Sequence, residues 1–303
     1  MEWRMKALIE NKRICFVGAG AMAEAILSGL LDHKIVKPGQ ITVTNKEDRF
    51  RLDELVYNFG IVADRTQRYT SIQEADILIL AMKPKDLKQA LLDIREWTRP
   101  DQLFLSVVAG VSTATISHLL GHSAPVIRTM PNTSAVVGLS ATGMCLGANV
   151  REEHVRLART IFESIGLVFI TEEEKLDAIT GLSGSGPAYV YFLVEAMIKG
   201  GMDVGLSYEE ARKLTLQTVL GAATMLNETG EDPAVLREKV TSPNGTTARG
   251  LEVLRRYQFE EGVRECIKQA TQRSKELGQM LSINAENDKD EHVPLASRND
   301  GKS

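Results

Sequence analysis

The stretch "RICFVGAGAMAEAI" (residues 13–26) joins a short apolar run to a helical pattern through a glycine-rich turn. The run before Gly18 is apolar at four successive positions, as expected for a strand that is buried on both faces of a sheet. After Gly20 the residues of one helix face recur at helical spacing, at Met22, Ala25, Ile26, Gly29 and Leu30. A strand, a G-x-G-x-x-A turn and a helix in this order predict a dinucleotide-binding unit.

The turn carries residues of the sizes that this chemistry needs. Gly18 permits a sharp turn, Gly20 lets the main chain approach a pyrophosphate, and Ala23 allows the helix to pack closely on the strand. The phosphates would bind at the helix N-terminus, beside Ala21 and Met22, where free N–H groups and the helix dipole favour an anion. Small residues also suit any tight turn, so the position at the first strand of an alternating chain is what favours a cofactor.

The rest of the first half alternates between apolar runs and helical patterns. The runs lie at residues 41–45, 76–82, 103–110 and 125–130. This alternation predicts an α/β domain with a doubly wound parallel sheet of the Rossmann type. From about Glu172 the strand pattern stops and helical patterns follow one another. We predict a dinucleotide-binding domain at residues 1–170, an all-α domain at 171–282, and a disordered polar tail at 283–303.

Composition and charge exclude several classes of protein. The chain has 303 residues, 43% of them hydrophobic and 25% charged, with a net charge of −4, which is typical of a soluble globular protein and predicts no nucleic-acid or membrane partner. Three well-separated cysteines (Cys15, Cys145 and Cys266) show neither metal-type spacing nor a disulfide framework. No secretory signal is visible at the N-terminus. We therefore expect a cytoplasmic protein without a bound metal.

Two segments of the predicted helical domain are unusually apolar. Residues 187–198 carry one charge, Glu195, and residues 214–226 carry none. A helix that is apolar nearly all round must be covered on all sides. A central core helix would satisfy this, but the predicted domain is small for two of them. We expect burial against a second subunit.

The end of the second predicted strand bears on the choice of nicotinamide cofactor. An NAD site usually places Asp or Glu there to bind the ribose 2′-OH. This strand ends in Asn45 and Lys46, with Arg49 following, and these side chains could hold a 2′-phosphate. The sequence thus favours NADPH, with NADH possible as a second cofactor. Alternatively, Lys46 and Arg49 are solvated charges at a helix start.

Other strand ends would lie at the same carboxyl edge of the sheet, where ligands of α/β proteins bind. Each is also explained by ordinary turn chemistry, but together they indicate further cofactor contacts. The residues concerned are Ala81, Met82, Lys83, Pro84, Ala109 and Gly110.

A set of ordered motifs resembles the pyrroline-5-carboxylate reductase family. They are "VGAGAMAEAI", "TVTN", "AMKPKDL", "SVVAGVS", "RTMPNTSAVVG", "GLSGSGPAYVY" and "VTSPNGTTARGLEVL", and the match runs over about residues 13–278. The resemblance implies a Rossmann domain and a helical domain that interlocks with its partner in a homodimer, with a decamer of five dimers as a larger assembly. It also implies reduction of the small-molecule substrate Δ1-pyrroline-5-carboxylate to L-proline with NADPH or NADH.

The resemblance places the substrate in the loop 241–247. Its backbone N–H groups and the Ser242 hydroxyl would hold the substrate carboxylate, and Thr247 would act on the imine nitrogen as the catalytic residue. The remaining substrate-binding residues would be Pro243, Asn244, Gly245 and Thr246. The family commonly has Gly-Gly after the loop proline where this chain has Asn244-Gly245, and "MPNTP" where this chain has Ser134. Asn adopts left-handed conformations more readily than most residues, so Asn244 can preserve the turn. Without the resemblance, the loop reads as a helix cap.

Three alternatives stay open on the sequence. A β-hydroxyacid dehydrogenase needs a general base, typically a lysine, but Lys199 and Lys213 lie in no matching motif. Another NADP-dependent imine reductase, or a non-catalytic NADP-binding regulator on the same fold, would also fit.

The histidines all lie in polar contexts and are expected at the surface (His33, His118, His122, His154 and His292).

Overall fold

The computed structural model describes residues 8–46, 48–63 and 68–286. By its contacts the chain divides into two compact units. One unit comprises Met1–Gly184 together with Ala270–Ser303, and the other comprises Ser185–Gln269.

The first unit is built on a seven-stranded sheet with the order β2-β1-β3-β4-β5-β6-β7. Strands β1 to β5 are parallel, β6 runs antiparallel to β5, and β7 is parallel to β6. This confirms the predicted doubly wound α/β fold. The strand bounds are β1 Ile14–Val17, β2 Ile41–Thr44, β3 Ile77–Leu80, β4 Leu103–Ser106, β5 Val126–Met130, β6 Ser140–Leu146 and β7 Gly166–Ile170.

Helices cover both faces of this sheet, which explains why the strands are apolar at successive positions. In β1, Ile14 and Phe16 belong to one buried cluster, while Cys15 and Val17 belong to the other. Successive side chains of a strand point to opposite faces, so a strand with two buried faces needs an unbroken apolar run. The helices of this unit are α1 Ala21–Asp32, α2 Arg49–Phe59, α3 Arg68–Glu74, α4 Pro84–Ile94, α5 Thr113–Leu120, α6 Glu152–Glu163 and α7 Leu176–Ile179.

The second unit consists of helices. Helix α9 begins with a capping box, in which Glu210 N–H donates to Ser207 Oγ over 3.3 Å and Ser207 N–H donates to Glu210 Oε2 over 2.9 Å. The elements are α8 Gly186–Asp203, α9 Tyr208–Thr229, α10 Pro233–Lys239, α11 Thr246–Arg256, and the first part of α12 Phe259–Glu286.

The two apolar helices, α8 and α9, are barely buried within the chain. No residue of α8 is buried, and in α9 only Ala211 and Thr215 are. Exposed apolar side chains include Val190, Tyr191, Phe192, Met197, Leu214, Leu216, Leu220 and Met225. This exposure disfavours the central-core interpretation and supports burial against another chain.

The contact boundary lies at Gly184 rather than near residue 170. The segment before it is bonded to the sheet unit, since Asn132 Nδ2 donates to Ser183 O over 2.9 Å. The end of α12 belongs to the same unit, where Ser274 Oγ donates to Asp177 Oδ1 over 2.7 Å. A boundary of folding domains near residue 170 stays a prediction.

The predicted disordered tail is wrong at its start, because α12 continues to Glu286 and residues 283–286 are therefore helical. The rest of that tail, 287–303, lies outside the described residues. Among the described helices, none has the length and apolar content to cross a membrane.

Candidate functional site

The glycine-rich turn is held against two neighbouring strand ends. Gly18 has φ +112°, a conformation that other residues rarely adopt, and its N–H donates to Thr44 O at the end of β2 over 2.9 Å. On the other side a Cβ added to Gly18 would lie 2.6 Å from Ala81 O, directly after β3. The turn thus requires glycine for both its conformation and its packing.

Helix α1 begins directly after this turn without a side-chain cap. Gly20 is the N-cap residue, with φ −74° and ψ 177°, and it makes no side-chain capping bond. The N–H groups of the first helical turn, which starts at Ala21 and Met22, therefore receive no side-chain acceptor from the N-cap. Together with the helix dipole they are available to an anion, and the pyrophosphate contact predicted there stays a prediction.

A cavity of about 570 Å³ lies at the carboxyl ends of β1, β2 and β3. It is lined by Val17, Gly18, Ala19, Gly20, Thr44, Asn45, Lys46, Asp48, Arg51, Arg68, Ala81, Met82, Lys83, Lys85, Asp86, Gln89, Ala90 and Asp93. The structure thus brings together seven of the predicted cofactor residues, namely Gly18, Gly20, Asn45, Lys46, Ala81, Met82 and Lys83. A glycine cradle and an uncapped helix start beside such a cavity fit the phosphates of a dinucleotide.

Five predicted cofactor residues do not line this cavity. Ala21 and Pro84 directly follow residues that do, and Met22 follows Ala21. Ala109 and Gly110 follow β4, where Gly110 has φ +77° and packs on α12 so closely that a Cβ on Gly278 would lie 2.5 Å from Gly110 O. Their contacts with a cofactor stay predictions.

Of the two basic residues expected near the end of β2, Lys46 lines the cavity and Arg49 does not. Arg49 is exposed at the start of α2 and does not line the cavity. Arg51 does, but Nε donates to Ala19 O over 3.0 Å, Nη1 to Glu54 over 2.6 Å, and Nη2 to Glu24. The hydrogen bond to Glu24 is the main cause that raises the pKa of Arg51. Arg51 lies on α2 and therefore links this helix to the glycine turn and to α1 through hydrogen bonds.

Arg68 is a cavity residue that the sequence analysis did not identify. It lines the cavity of about 570 Å³ and also a smaller one of about 210 Å³ beside the end of β2. Its Nε is buried and has no hydrogen-bond partner within the described part of the chain. No local pattern marks this position, because Arg68 is separated in sequence from Lys46 and is brought to it by the fold.

In the second unit, the loop before α11 adopts the turn that the sequence predicted for it. Asn244 has φ 59°, a left-handed conformation, and Gly245 N–H donates to Ser242 O over 3.0 Å. A Cβ on Gly245 would lie 2.5 Å from Ser242 Oγ, so glycine allows this hydroxyl to lie beside the helix start.

Helix α11 also begins without a side-chain cap on its first N–H groups. Gly245 is its N-cap residue, with φ −74° and ψ 172°, and Thr246 and Thr247 form an exposed first turn. The helix start could thus accept an anion from solvent. The arrangement repeats, in the helical unit, the glycine-capped start seen at α1.

Comparisons with known proteins identify the family. A family model described as pyrroline-5-carboxylate reductase dimerisation matches residues 173–277, and one described as NADP oxidoreductase coenzyme F420-dependent matches residues 13–110. Pyrroline-5-carboxylate reductase 1 of Bacillus subtilis (strain 168) is 42% identical over 281 residues, which cover 93% of this chain and 94% of that protein. The chain belongs to the pyrroline-5-carboxylate reductase family.

More distant members of the pyrroline-5-carboxylate reductase family match this chain over nearly the same length. The protein of that name from Arabidopsis thaliana is 36% identical over 270 residues, covering 89% of this chain and 97% of that protein. The crystal structure of Plasmodium falciparum pyrroline carboxylate reductase with NADP bound has a TM-score of 0.80 at 28% identity, covering 89% of this chain and 99% of that one. The same architecture is therefore shared over both units.

One histidine of this family member departs from expectation. His154 is buried, so its expected surface position is wrong, and His122 is half-buried. Arg151 N–H donates to His154 Nδ1 over 3.1 Å at the start of α6, and burial lowers the pKa of His154. The ring therefore serves as a packed helix cap. His292 lies outside the described residues.

The two buried cysteines are not activated as nucleophiles. Burial raises the pKa of the Cys15 thiol to about 12, against the opposing charge of Arg68, and burial raises that of Cys145 to about 12 as well. Both thiols stay protonated near neutral pH. Over the residues described, no group of three or more His, Cys, Asp or Glu side chains could hold a metal ion.

Proposed function

We propose that the chain reduces the C=N bond of Δ1-pyrroline-5-carboxylate to give L-proline, the last step of proline biosynthesis, with NADPH preferred and NADH accepted. Membership of the family makes it an NAD(P)-dependent oxidoreductase. The observation that carries the proposal is the glycine-capped start of α11, where Asn244 at φ 59° keeps the turn in the form that exposes the first N–H groups.

The substrate is a small anion, and the loop offers groups that suit it. The N–H groups of Thr246 and Thr247 follow one another at a helix start, and the Ser242 hydroxyl lies beside them. The Gly245 N–H is bonded to Ser242 O and closes the turn. Helix dipole and N–H donors favour the substrate carboxylate at this position, with Pro243 and Asn244 shaping the turn. Fixing the carboxylate orients the ring, and orientation accounts for much of the rate gain in such reactions.

Thr247 is the proposed catalytic residue. When bound, reduced nicotinamide supplies the hydride that the imine carbon accepts. Electron density then accumulates at the ring nitrogen, where the Thr247 hydroxyl would donate a hydrogen bond to the developing lone pair. Its first-turn position on α11 leaves that hydroxyl exposed to an incoming ligand.

The dinucleotide is proposed to lie across the glycine turn of the first unit. Gly18 and Gly20 allow close approach, and the N–H groups of Ala21 and Met22 would hold the pyrophosphate. Toward the nicotinamide, the proposed contacts are the strand-end residues Ala81, Met82, Lys83, Pro84, Ala109 and Gly110. At the adenosine end, Asn45 and Lys46 line the cavity and favour a 2′-phosphate.

Replacing Lys46 by glutamate tests the cofactor preference. The Lys46→Glu variant should raise the KM for NADPH at least about tenfold, equivalent to about 1.4 kcal/mol, and that for NADH less than about threefold. The physical reason is that a carboxylate repels the extra phosphate that only NADPH carries. Initial rates with each cofactor measure both values.

Lys85→Glu is the matched control, because Lys85 lines the same cavity on α4 at the end of β3. It introduces the same charge reversal away from the end of β2 and should change both KM values by similar factors. Equal losses for NADPH and NADH in Lys46→Glu would remove the argument for the 2′-phosphate.

The assembly proposed is a homodimer formed through the exposed apolar sides of α8 and α9, with a decamer of five dimers as the larger assembly. The match of residues 173–277 to a dimerisation family and the exposure of these side chains support it. A cytoplasmic location is proposed on the three cysteines, none of which is in a disulfide among the described residues. Light scattering of the purified chain measures the mass of the assembly.

One absorbance experiment separates the candidate functions. The chain should consume NADPH only when pyrroline-5-carboxylate is present, with L-proline as the product. NADPH binding without imine-dependent consumption would indicate a non-catalytic regulator instead. Oxidation of 3-hydroxyacids in place of imine reduction would indicate the dehydrogenase alternative.

A further inference from the structure

The small cavity beside the end of β2 has the position of a site for the ribose end of the cofactor. It measures about 210 Å³ and is lined by Val43, Thr44, Asn45, Lys46, Leu52, Arg68 and Tyr69. It shares Thr44, Asn45, Lys46 and Arg68 with the larger cavity, so the two adjoin there. Neither Gly18 nor Gly20 lines it, which separates it from the turn that would hold the pyrophosphate.

The two arginines of the larger cavity differ in the acceptors that their side-chain N–H groups have within the protein. Arg51 bonds Ala19 O, Glu24 and Glu54, so its charge is already paired within the protein. Arg68 has a buried Nε with no acceptor among the described residues. A charged group with an unpaired donor in a buried position is unfavourable, and an anionic ligand that contacts the guanidinium would compensate its charge.

Arg68 is also held in place before any ligand arrives. Its guanidinium carbon lies 5.4 Å from the centroid of the Tyr69 ring, and that ring stacks on Trp97 at 5.0 Å with an interplanar angle of 25°. A guanidinium fixed over an aromatic ring loses little conformational freedom when it binds. Its planar donors match the geometry of a phosphate better than an ammonium does.

We propose that Arg68 is the main ligand of the 2′-phosphate of NADPH, and that the cavity of about 210 Å³ receives this phosphate. Lys46 is exposed and adds a charge at the rim. Among the described residues that line this small cavity none is a carboxylate, and Asp48 of the larger one accepts a hydrogen bond from Arg51 N–H over 2.9 Å. The proposal rests on the NADPH preference proposed above and assigns it to a residue outside the glycine and strand-end motifs.

Titration calorimetry of the full chain with 2′,5′-ADP and 5′-AMP tests the assignment. These fragments differ only in the 2′-phosphate and contain no nicotinamide, so the result does not depend on catalysis. The wild type should bind 2′,5′-ADP more tightly. Arg68→Gln should weaken the binding of 2′,5′-ADP at least about tenfold while changing that of 5′-AMP less than about twofold.

Two further variants make the outcome specific. Lys46→Gln should lower the discrimination between the fragments less than Arg68→Gln does. Arg68→Lys keeps the charge but loses the planar donors, and should retain part of the discrimination. Arg68→Lys also serves as the test if Arg68→Gln does not fold, which loss of 5′-AMP binding would reveal.

Negative results for the cofactor preference, for the Arg68 assignment and for the proposed reaction can be distinguished. Equal binding of both fragments by the wild type would overturn the NADPH preference and this assignment together. Preference for 2′,5′-ADP that survives in Arg68→Gln, or that is lost more completely in Lys46→Gln, would overturn the assignment alone. Absence of imine reduction, with the fragment results as expected, would contradict the proposed reaction and leave the phosphate site standing.

Discussion

Replacing Thr247 by valine is expected to lower kcat by about 10²-fold or more, the lower range for loss of a proton-donating group. Valine has nearly the shape of threonine and lacks only the hydroxyl. Thr247 lies in the first turn of α11, exposed and beside the Ser242–Gly245 turn. The backbone N–H groups proposed to hold the substrate carboxylate therefore remain, and KM for pyrroline-5-carboxylate should change little. Steady-state rates with saturating NADPH measure both parameters.

Thr247→Ser is the matched control, because it restores the hydroxyl at the same backbone position. It should recover most of the turnover. Fluorescence titration should give a Kd for NADPH within about twofold of the wild-type value in both variants, a difference well below 1 kcal/mol. Wild-type turnover in Thr247→Val would contradict the catalytic role. Loss in both variants alike would indicate a packing role instead.

The parts of the fold that could be predicted are those determined by residues that are close together in the sequence. The run in β1, the turn at Gly18 and the face of α1 are each decided by neighbouring residues, so the dinucleotide unit followed directly. Strand β6, "SATGMCL", was not identified because small and polar residues interrupt its apolar pattern. Only its long-range pairing with β5 and β7 shows it to be a strand.

The basic end of the site shows where local sequence stops being sufficient. A positive charge near the end of β2 could be predicted, but not which side chain faces the cavity. Arg49 begins α2 and points to solvent, while Arg51 is bonded to Ala19, Glu24 and Glu54. Arg68 lies far from β2 in the sequence, and the fold places it at the cavity beside the end of that strand. Side-chain direction is set by the phase of the helix and by packing, neither of which one sequence reveals.

Exposed apolar helices are the converse case, since composition predicted an apolar surface and the described part of the chain leaves that surface exposed. Residues 187–198 and 214–226 were predicted to need covering on all sides. In the chain, Phe192 of α8 is 74% exposed and Leu220 of α9 is 59% exposed. Side chains of this size lose favourable burial energy in water, so a partner surface is expected to supply it.

Replacing Gly18 by alanine is expected to remove measurable NADPH binding and to lower the free energy of unfolding by about 2–4 kcal/mol, the sum of backbone strain and a steric clash. The new Cβ would lie 2.6 Å from Ala81 O and 2.8 Å from Met82 N, and main-chain atoms cannot move aside as a side chain can. The residue would also be strained at φ +112°. Urea unfolding and NADPH titration measure the two effects.

The variants Gly20→Ala and Gly39→Ala separate effects on stability from effects on cofactor binding. Gly20 has φ −74°, and the nearest heavy atom to an added Cβ is Ala81 O at 3.8 Å, so this variant should be as stable as the wild type. It should nevertheless weaken NADPH at least about tenfold, because the methyl group occupies the approach of the pyrophosphate. Gly39 has open space around its Cβ position and should leave both properties unchanged. If Gly20→Ala binds NADPH as the wild type does, the pyrophosphate does not cross this turn. If Gly18→Ala is as stable as Gly39→Ala, the close contact with Ala81 does not constrain the fold.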